Sequence, residues 1–340
     1  MQLPGFDIAE SLSEGEQTRV LRGRRTVDDE PVVLKLPRET RPQPETLARL
    51  RRAFTLMQRT QATGVAPVLD LVDLEPGLVL VMADIGAVSL DRYAAGAAIA
   101  PATTLALGHA VAETLAVLHG EGIVHKDITP ANIVHNPDTG RTALIDFGLA
   151  SELGRAETDP VNPTVLPGTL PYMAPEQSGR TNHSVDHRAD IYALGASLFE
   201  LLAGRPPFTE TDPLTLVHRH IAVAPPRVDG LVPGLPVAVG DVLARALAKT
   251  PEDRYQTADA LAGDLATCLD AVRTGHTPAG FIPGRGDIPL TLQIPERLYG
   301  RADQVARLTH AFDSAAAGAR VLTLVTGSAG IGKSALAREL

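Results

Sequence analysis

The pattern of apolar and polar residues in the first eighty positions predicts a small lobe of strands with one helix. Residues 6–36 have the pattern of a twisted antiparallel hairpin that ends at Lys35. Pro44 then begins a helix, because proline suits the first helical position. Two further strands are predicted at Val68–Asp73 and Leu78–Met82, where short apolar runs recur.

The predicted helix has one apolar and one charged face. Its apolar side chains recur at helical spacing: Leu47, Leu50, Phe54 and Met57. Ala53 falls on this inward face. The other side carries three arginines, which we interpret as a solvated face: Arg49, Arg51 and Arg52.

The middle of the chain is predicted to be a larger, helical lobe. A first helix has a stripe made of Leu107, Ala110, Val111, Thr114 and Leu118. A second covers residues 190–202 and is ended by Gly204. Further helices are predicted near residues 212–221, 235–249 and 257–272. A connector rich in proline and glycine, Thr274 to Pro295, then leaves this lobe.

A second unit is predicted to begin after the connector. A helix near residues 302–317 precedes the apolar strand Val321–Val325, and residues 327–334 then read G-x-x-x-x-G-K-S. Strand before and helix after is the setting in which this motif binds nucleotide phosphates. The strand, the loop and the helix start predict an α/β P-loop domain, which we expect to be truncated at Leu340.

Each defined residue of the G-x-x-x-x-G-K-S motif has a chemical role in binding phosphate. Gly327 and Gly332 let backbone N–H groups surround phosphate, Lys333 reaches the terminal phosphates and Ser334 binds Mg²⁺. We expect weak nucleotide binding here, because one strand and one helical turn cannot hold the loop in shape.

Composition narrows the classes of function. The chain has 340 residues with a formal net charge of −9, typical of a globular protein of about two domains. The negative charge and the low aromatic content (4%) argue against a nucleic-acid surface. Residues 94–112 are too weakly apolar to span a bilayer. With a single cysteine, Cys268, we expect a cytoplasmic protein without nucleic-acid or membrane partners.

Polar motifs at fixed separations carry the candidate chemistry. Asp127 ends the sequence His125-Lys126-Asp127, and Asn132 follows five residues later. Asp146 stands nineteen residues after Asp127 and begins Asp146-Phe147-Gly148. The interval suits a β-hairpin that goes out over residues 132–135, turns over 136–140 and returns over 142–145. Both oxygen donors, Asn132 and Asp146, would then lie beside Asp127.

This set of side chains suits phosphoryl transfer. The reaction needs positioning and neutralisation of charge more than covalent chemistry from the protein. Asp127 is the candidate base that orients a hydroxyl and takes its proton. Asn132 and Asp146 are hard oxygen donors of the kind that hold Mg²⁺ against phosphates.

Residues 1 to about 272 resemble the bacterial eukaryotic-like Ser/Thr protein kinases. The resemblance is carried by HKDITPAN at 125–132, LIDFGLAS at 144–151, PGTLPYMAPEQSGR at 167–180 and DHRADIYALGASLFELLAGRPPF at 186–208. It is closest to the module that begins multidomain sensor proteins of the order kinase, AAA-type ATPase, GAF domain and histidine kinase. RLYGR at 297–301, followed by the P-loop, supports this order by analogy.

The resemblance implies an α+β, bilobal kinase fold and a set of domain bounds. The kinase domain would cover residues 1–272, with an N-lobe of 1–83 and a C-lobe of 86–272. A linker of 273–295 would lead to an AAA-type segment at 296–340.

It also implies roles for individual residues. Lys35 would contact the α- and β-phosphates of ATP, with Gly15 and Val20 covering the nucleotide and the hinge residues Ala83 and Ile85 meeting the adenine. Asp190 would brace the catalytic loop, and Glu176 would form a structural ion pair with Arg254.

The chain departs from the family pattern at four places. The glycine-rich loop keeps only Gly15 of three glycines, and Glu16 adds negative charge there. Ala53 stands where a glutamate normally pairs with Lys35. Lys126 replaces the usual arginine before the catalytic aspartate, and Thr129 stands where a phosphate-contacting lysine is common.

Two main hypotheses follow from this pattern. The first is an active Ser/Thr protein kinase that uses Mg-ATP, with a protein substrate that the sequence does not identify. The alternative is a weakly active or dead pseudokinase that acts as a regulatory or scaffold module for downstream ATPase and sensor domains. A P-loop NTPase as the main activity is a third reading, for a longer parent chain.

Overall fold

The computed structural model describes residues 3–39, 41–74, 77–153, 170–288 and 302–328, together with residues 333 and 336. Gly332 and Ser334 of the predicted P-loop lie outside the described residues.

The N-terminal lobe is a five-stranded antiparallel sheet with one helix. The strand order is β1-β2-β3-β5-β4. The elements are β1 (Phe6–Glu14), β2 (Thr18–Arg25), β3 (Glu30–Pro37), α1 (Pro44–Arg59), β4 (Val68–Leu74) and β5 (Gly77–Ala83). The two later strands and the helix are where the sequence predicts them.

The single hairpin predicted for residues 6–36 is wrong, because this segment forms three strands. The chain turns twice, at residues 15–17 and at residues 26–29, where Asp29 takes a positive φ of 57°. An aspartate tolerates this left-handed conformation better than most residues.

Alternation along β3 places Lys35 on the inner face of the sheet. Val32, Leu34 and Leu36 are fully buried in the hydrophobic cluster on the other face. Lys35 lies between them in sequence and so points to the opposite face, as does Val33, which packs against the core that contains α1.

The C-terminal lobe is mainly helical. Its helices are α2 (Leu90–Ala94), α3 (Pro101–Gly120), α4 (Arg188–Ala203), α5 (Pro213–Ala222), α6 (Val237–Ala246) and α7 (Ala258–Thr274). Short strands lie between the helices: β6 (Val88–Ser89), β7 (Ile123–Val124), β8 (Ile133–His135), β9 (Thr142–Leu144) and β10 (Ser151–Glu152). These helices confirm the predicted ones to within a few residues, and Gly204 ends α4 in the left-handed conformation that glycine permits.

One helix among the described residues, α3, is long and apolar enough to span a membrane by length and composition alone. Half of its apolar window is buried within the lobe, where Leu105, Leu115 and Leu118 are fully enclosed. Its apolar character is accounted for by this core packing.

The first part of the predicted linker packs on the C-terminal lobe. The buried carboxylate of Asp287 accepts hydrogen bonds from the backbone N–H groups of Gln256 (2.6 Å) and Thr257 (3.0 Å). Arg245 donates to the carbonyl of Pro283 at 2.8 Å, and Asp264 accepts from the N–H of Gly284 at 2.6 Å. These contacts fix the chain against α6 and α7.

The last described segment contains one helix, α8 (Ala302–Ala316), as predicted. The strand predicted at Val321–Val325 is not formed. A strand needs a neighbour to satisfy its N–H and C=O groups, and no described segment pairs with these residues.

We expect Asp287→Ala to lower the free energy of unfolding by about 2 kcal/mol, because it leaves buried N–H groups without an acceptor. The melting temperature should fall by roughly 4–8 °C, measured by calorimetry on the full chain. Asp270→Ala, at an exposed position of α7, is the control and should change little. Equal melting temperatures for the two variants would contradict the anchoring role.

Candidate active site

The catalytic loop is held from below by Asp190. This fully buried carboxylate accepts hydrogen bonds from the backbone N–H groups of His125 (2.8 Å) and Lys126 (2.7 Å) and contacts His119 Nε2 at 3.0 Å. Burial acts to raise the pKa of Asp190, but the hydrogen bonds that it accepts from His119 and from the His125 N–H, together with the charge of His119, outweigh it and hold the pKa below its ordinary value. Asp190 therefore braces the loop as an anion, as the resemblance implies.

The side chain of His125 locks the same loop to the metal-ligand hairpin. Its Nδ1 accepts from the N–H of Asp127 at 3.3 Å, and its Nε2 lies 3.0 Å from the carbonyl oxygen of Ile145. A carbonyl can only accept, so the proton is on Nε2 and the ring is neutral. The ring also packs edge-on against the buried Phe147, with centroids 4.6 Å apart.

The hairpin of β8 and β9 brings Asn132 and Asp146 beside Asp127, as the spacing predicts. Its register pairs Ile133 with Leu144, which places Asn132 opposite Ile145 and next to Asp146. The Asn132 side-chain amide donates to the Asp127 backbone carbonyl at 2.9 Å and to its Oδ2 at 2.8 Å. With the nitrogen so engaged, the Asn132 oxygen is directed away from Asp127.

Lys35 reaches across the cleft and forms an ion pair with Asp146. Asp146 has a positive φ of 65°, which is costly for a residue other than glycine and marks a strained, functional position. Burial acts to raise the pKa of its carboxyl, but the charge and hydrogen bond of Lys35 and the hydrogen bond from the Gly148 N–H together outweigh it, and the pKa lies below its ordinary value. The carboxylate is thus ionised and ready to hold a cation.

At position 53, where the family pattern has a glutamate that pairs with Lys35, α1 carries Ala53. It is 3% exposed and faces inward, as predicted. Lys35 instead forms its ion pair with Asp146 of the C-terminal lobe.

The glycine-rich turn joins β1 to β2. The Gly15 N–H donates to the Thr18 carbonyl at 2.8 Å and closes the turn. Val20 pairs directly with Lys35 across β2 and β3, so both side chains lie on the same face of the sheet. Val20 and Lys35 thus share the inner face of the sheet, and Gly15 lies in the turn that precedes β2.

The predicted hinge residues connect the two lobes. The Ala83 N–H donates to the Pro67 carbonyl at 2.9 Å, and the Ile85 carbonyl accepts from Asn136 Nδ2 at 2.7 Å. Among the described residues nothing accepts a hydrogen bond from the N–H of Ile85, which leaves one donor for an adenine ring.

Asn136 is a functional residue that the sequence analysis missed. Its side-chain oxygen accepts from the N–H groups of Asp138 and Thr139 in the β8–β9 turn, while its amide holds the hinge. Its nitrogen lies where a side chain at Gly86 would begin, so Gly86 must stay bare. An asparagine in a turn gives no hint in the sequence of a partner 51 residues away.

A second missed residue, Gln177, joins the catalytic loop to the segment that follows the Ala174-Pro175-Glu176 motif. Its side-chain oxygen accepts from the Ala174 N–H at 2.9 Å, and its nitrogen donates to the Lys126 carbonyl at 2.8 Å. Lys126 has a positive φ of 65°, so this bond holds a strained residue directly before Asp127.

Glu176 and Arg254 form the buried ion pair that the resemblance implies. Both side chains are almost completely enclosed, and two parallel hydrogen bonds of 2.6 and 2.8 Å join them. Arg254 also donates to the carbonyls of Ala248 and Lys249, and its guanidinium lies over the ring of Tyr192. Every side of the arginine is therefore occupied, which is what a buried guanidinium requires.

The described P-loop residues lie far along the chain from this cleft. The Lys333 ammonium donates to the carbonyls of Gly327 (3.0 Å) and Ser328 (2.8 Å). The loop carbonyls therefore hold the charge that a phosphate would otherwise attract.

Comparison with known proteins agrees with this geometry. Residues 6–264 match the family model described as protein kinase domain. The chain belongs to the protein kinase family. Residues 297–340 match the AAA ATPase domain, which fits a P-loop NTPase start after the kinase lobes.

The similar proteins are bacterial Ser/Thr kinases. Serine/threonine-protein kinase PknE of Mycobacterium tuberculosis is 34% identical over 272 residues, which cover 79% of this chain and 46% of PknE. PknH of the same organism is 33% identical over 263 residues, or 77% of this chain and 41% of PknH. The chain thus spans less than half the length of these relatives. A probable serine/threonine-protein kinase of Streptomyces coelicolor is 33% identical over 184 residues, or 54% of this chain and 27% of that protein.

Removal of the Glu176 carboxylate should lower the free energy of unfolding more than removal of an exposed acid. Glu176→Ala leaves Arg254 buried without its partner, so we expect a loss of about 3–5 kcal/mol in urea denaturation. The double variant Glu176→Ala/Arg254→Met should recover part of this loss. Glu10→Ala, which removes an exposed partner of Arg22, should cost less than about 1 kcal/mol. Similar losses for Glu10 and Glu176 would contradict this account.

The variant Gln177→Glu keeps one of the two hydrogen bonds of the Gln177 side chain and removes the other. Glutamate still accepts from the Ala174 N–H but cannot donate to the Lys126 carbonyl, so the loop before Asp127 loosens. We expect kcat for phosphoryl transfer to fall about tenfold with KM for ATP unchanged. Gln58→Glu, at an exposed position of α1, is the matched control. A wild-type kcat in Gln177→Glu would contradict the positioning role.

Proposed function

We propose that this chain is a Ser/Thr protein kinase that transfers the γ-phosphoryl group of Mg-ATP to protein hydroxyl groups. The observation that carries the proposal is the convergence of Asp127, Asn132 and the Lys35–Asp146 pair at one cleft. The family membership and the names of the relatives support it.

Asp127 is the proposed base for the acceptor hydroxyl. The hydrogen bond from Asn132 Nδ2 to its Oδ2 fixes the direction of the carboxylate. A carboxylate held in this way can orient a hydroxyl and accept its proton as the transfer proceeds.

The residues present fit a magnesium ion. The Asn132 oxygen and the ionised Asp146 carboxylate are hard oxygen donors, and the remaining ligands would be water and phosphate oxygens. Bound Mg²⁺ would neutralise charge between the phosphates. Among the described residues no cluster of three or more acidic, histidine or cysteine side chains offers a closed protein cage, which is consistent with a magnesium ion shared with nucleotide.

The nucleotide would lie between the lobes. Lys35 would contact its α- and β-phosphates, and Gly15 and Val20 would cover it from above. The Ile85 N–H and the backbone of Ala83 would meet the adenine at the hinge.

The pseudokinase alternative rests on Ala53 and on the reduced glycine content of the turn. The comparisons do not favour it. The ion pair with Asp146 also shows how Lys35 is held without an acid from α1.

Partners and location belong to the same proposal. The protein substrate is unidentified, and the AAA-type segment and the sensor domains that would follow it are the proposed partners of the kinase lobes. Because the reaction consumes ATP, we place the protein in the cytoplasm, without nucleic-acid or membrane partners.

The test is phosphate transfer by the full chain to a generic protein acceptor, followed with radiolabelled ATP. Asp127→Asn should lower the rate at least about 100-fold, because it removes the base but keeps the side-chain shape. Lys333→Ala is the control and should transfer label at the parental rate. Equal rates for the parent chain and Asp127→Asn would overturn the enzyme proposal and favour the scaffold alternative.

A further inference from the structure

The sequence analysis assigned Arg49 to a solvated face of α1, and the structure shows that this assignment is wrong. It lies in the first half of α1 and is half-buried. Its Nη1 donates a hydrogen bond of 3.2 Å to the side-chain oxygen of Gln17. Gln17 belongs to the turn between β1 and β2, and its carbonyl accepts from the Arg38 N–H at 2.9 Å, which holds the turn in place. Arg49 is therefore joined to the glycine-rich turn.

The same arginine also lies close to the Asp146-Phe147-Gly148 motif. A methyl group built on Gly148 would lie 3.6 Å from Arg49 Cβ, which is ordinary contact distance. The Gly148 N–H in turn donates to Asp146 Oδ1 at 3.3 Å. Arg49 thus stands between the turn above the proposed phosphate site and the metal-ligand carboxylate below it.

Its charge is not matched by an acid in the described part of the chain. No described carboxylate lies within ion-pair distance of the guanidinium, and its hydrogen-bond partner there is the neutral amide of Gln17. Lys35, by contrast, is paired with Asp146. An arginine has five N–H donors and a permanent charge, so Arg49 keeps most of its binding capacity.

The chemistry that suits these free donors is phosphate. A guanidinium binds phosphate oxygens with two parallel hydrogen bonds, and half-burial strengthens the attraction. A further cation would strengthen phosphate binding in this cleft, because the turn keeps one glycine of the family's three and Thr129 is uncharged.

We propose that Arg49 binds the terminal phosphates of the nucleotide in this cleft. This inference rests on the proposed function, since it assigns a further binding residue to the same site. A phosphorylated side chain of the protein itself would offer the same chemistry, and the experiment below separates the two sources.

The test compares Mg-bound AMPPNP, Mg-bound ADP and adenosine by calorimetry on the full chain. All proteins carry Lys333→Ala, so that the P-loop does not contribute, and are treated with phosphatase beforehand. We expect Arg49→Ala to weaken AMPPNP binding about tenfold and to leave adenosine binding unchanged. Arg49→Lys should fall between, because it keeps the charge and loses the fork.

The matched control is Arg51→Ala, which removes the same charge from an exposed position of the same helix. It should change AMPPNP affinity less than twofold. Equal affinities for the Arg49 and Arg51 variants would overturn the proposal, as would an equal loss for adenosine, which indicates a structural role. The measurements are repeated on untreated proteins, and an effect of Arg49→Ala seen only in these would assign Arg49 to a phosphorylated side chain and also overturn the proposal.

The outcome is separable from that of the proposed function. If the parent chain binds AMPPNP through Arg49 but transfers no phosphate faster than Asp127→Asn, the binding residue stands and the kinase proposal fails. If transfer depends on Asp127 but Arg49→Ala behaves as Arg51→Ala does, the reverse holds.

Discussion

The buried carboxylate of Asp190 is the interaction on which the catalytic loop depends. Its two oxygens accept the N–H groups of two successive loop residues, and water has no access to replace it. The second of these residues, Lys126, has a left-handed backbone conformation that would relax if it were not held. Asp190 binds the N–H of Lys126 and Gln177 binds its carbonyl. Both peptide groups of Lys126 are therefore held, and the backbone conformation directly before Asp127 is fixed.

The two lobes meet through polar contacts that join distant parts of the chain. Lys35 from β3 pairs with Asp146 after β9, and Asn136 from the same hairpin holds the hinge carbonyl of Ile85. A further pairing comes from the α1–β4 connection, whose Gly64 carbonyl accepts from the Leu144 N–H at 2.8 Å. The hairpin of β8 and β9 is therefore the element that sets the position of the upper lobe relative to the base.

Spacing alone predicted the parts of the site that are local in sequence. The hairpin between Asn132 and Asp146 follows from its turn residues and length, and the buried face of α1 follows from its periodicity. Residues that act through distant partners could not be found in this way. Gln177, Asn136 and Asp287 are ordinary polar residues in the sequence, and only the fold supplies the N–H and C=O groups that they meet.

The wrong predictions have the same physical origin. The single hairpin at residues 6–36 failed because the chain also turns at residues 15–17, and apolar patterning does not report this additional turn. The strand at Val321–Val325 failed because apolar composition cannot supply a ladder partner. Arg49 was assigned to solvent because helical periodicity ranks positions by angle, whereas a long arginine side chain at the edge of a face can reach a neighbouring loop.

The charge balance of the cleft gives the replacement at Ala53 a physical meaning. With an acid at that position, Lys35 would lie between two carboxylates, and its charge would be shared between α1 and Asp146. With alanine there, the whole charge of Lys35 acts on Asp146 and lowers the pKa of that carboxyl. The loss of a tether from α1 is offset by the contact of Arg49 with Gln17, which joins the helix to the turn by a neutral acceptor. The phosphate side of the cleft thus carries one negative charge fewer than it would with an acid at position 53, which favours a polyanionic ligand.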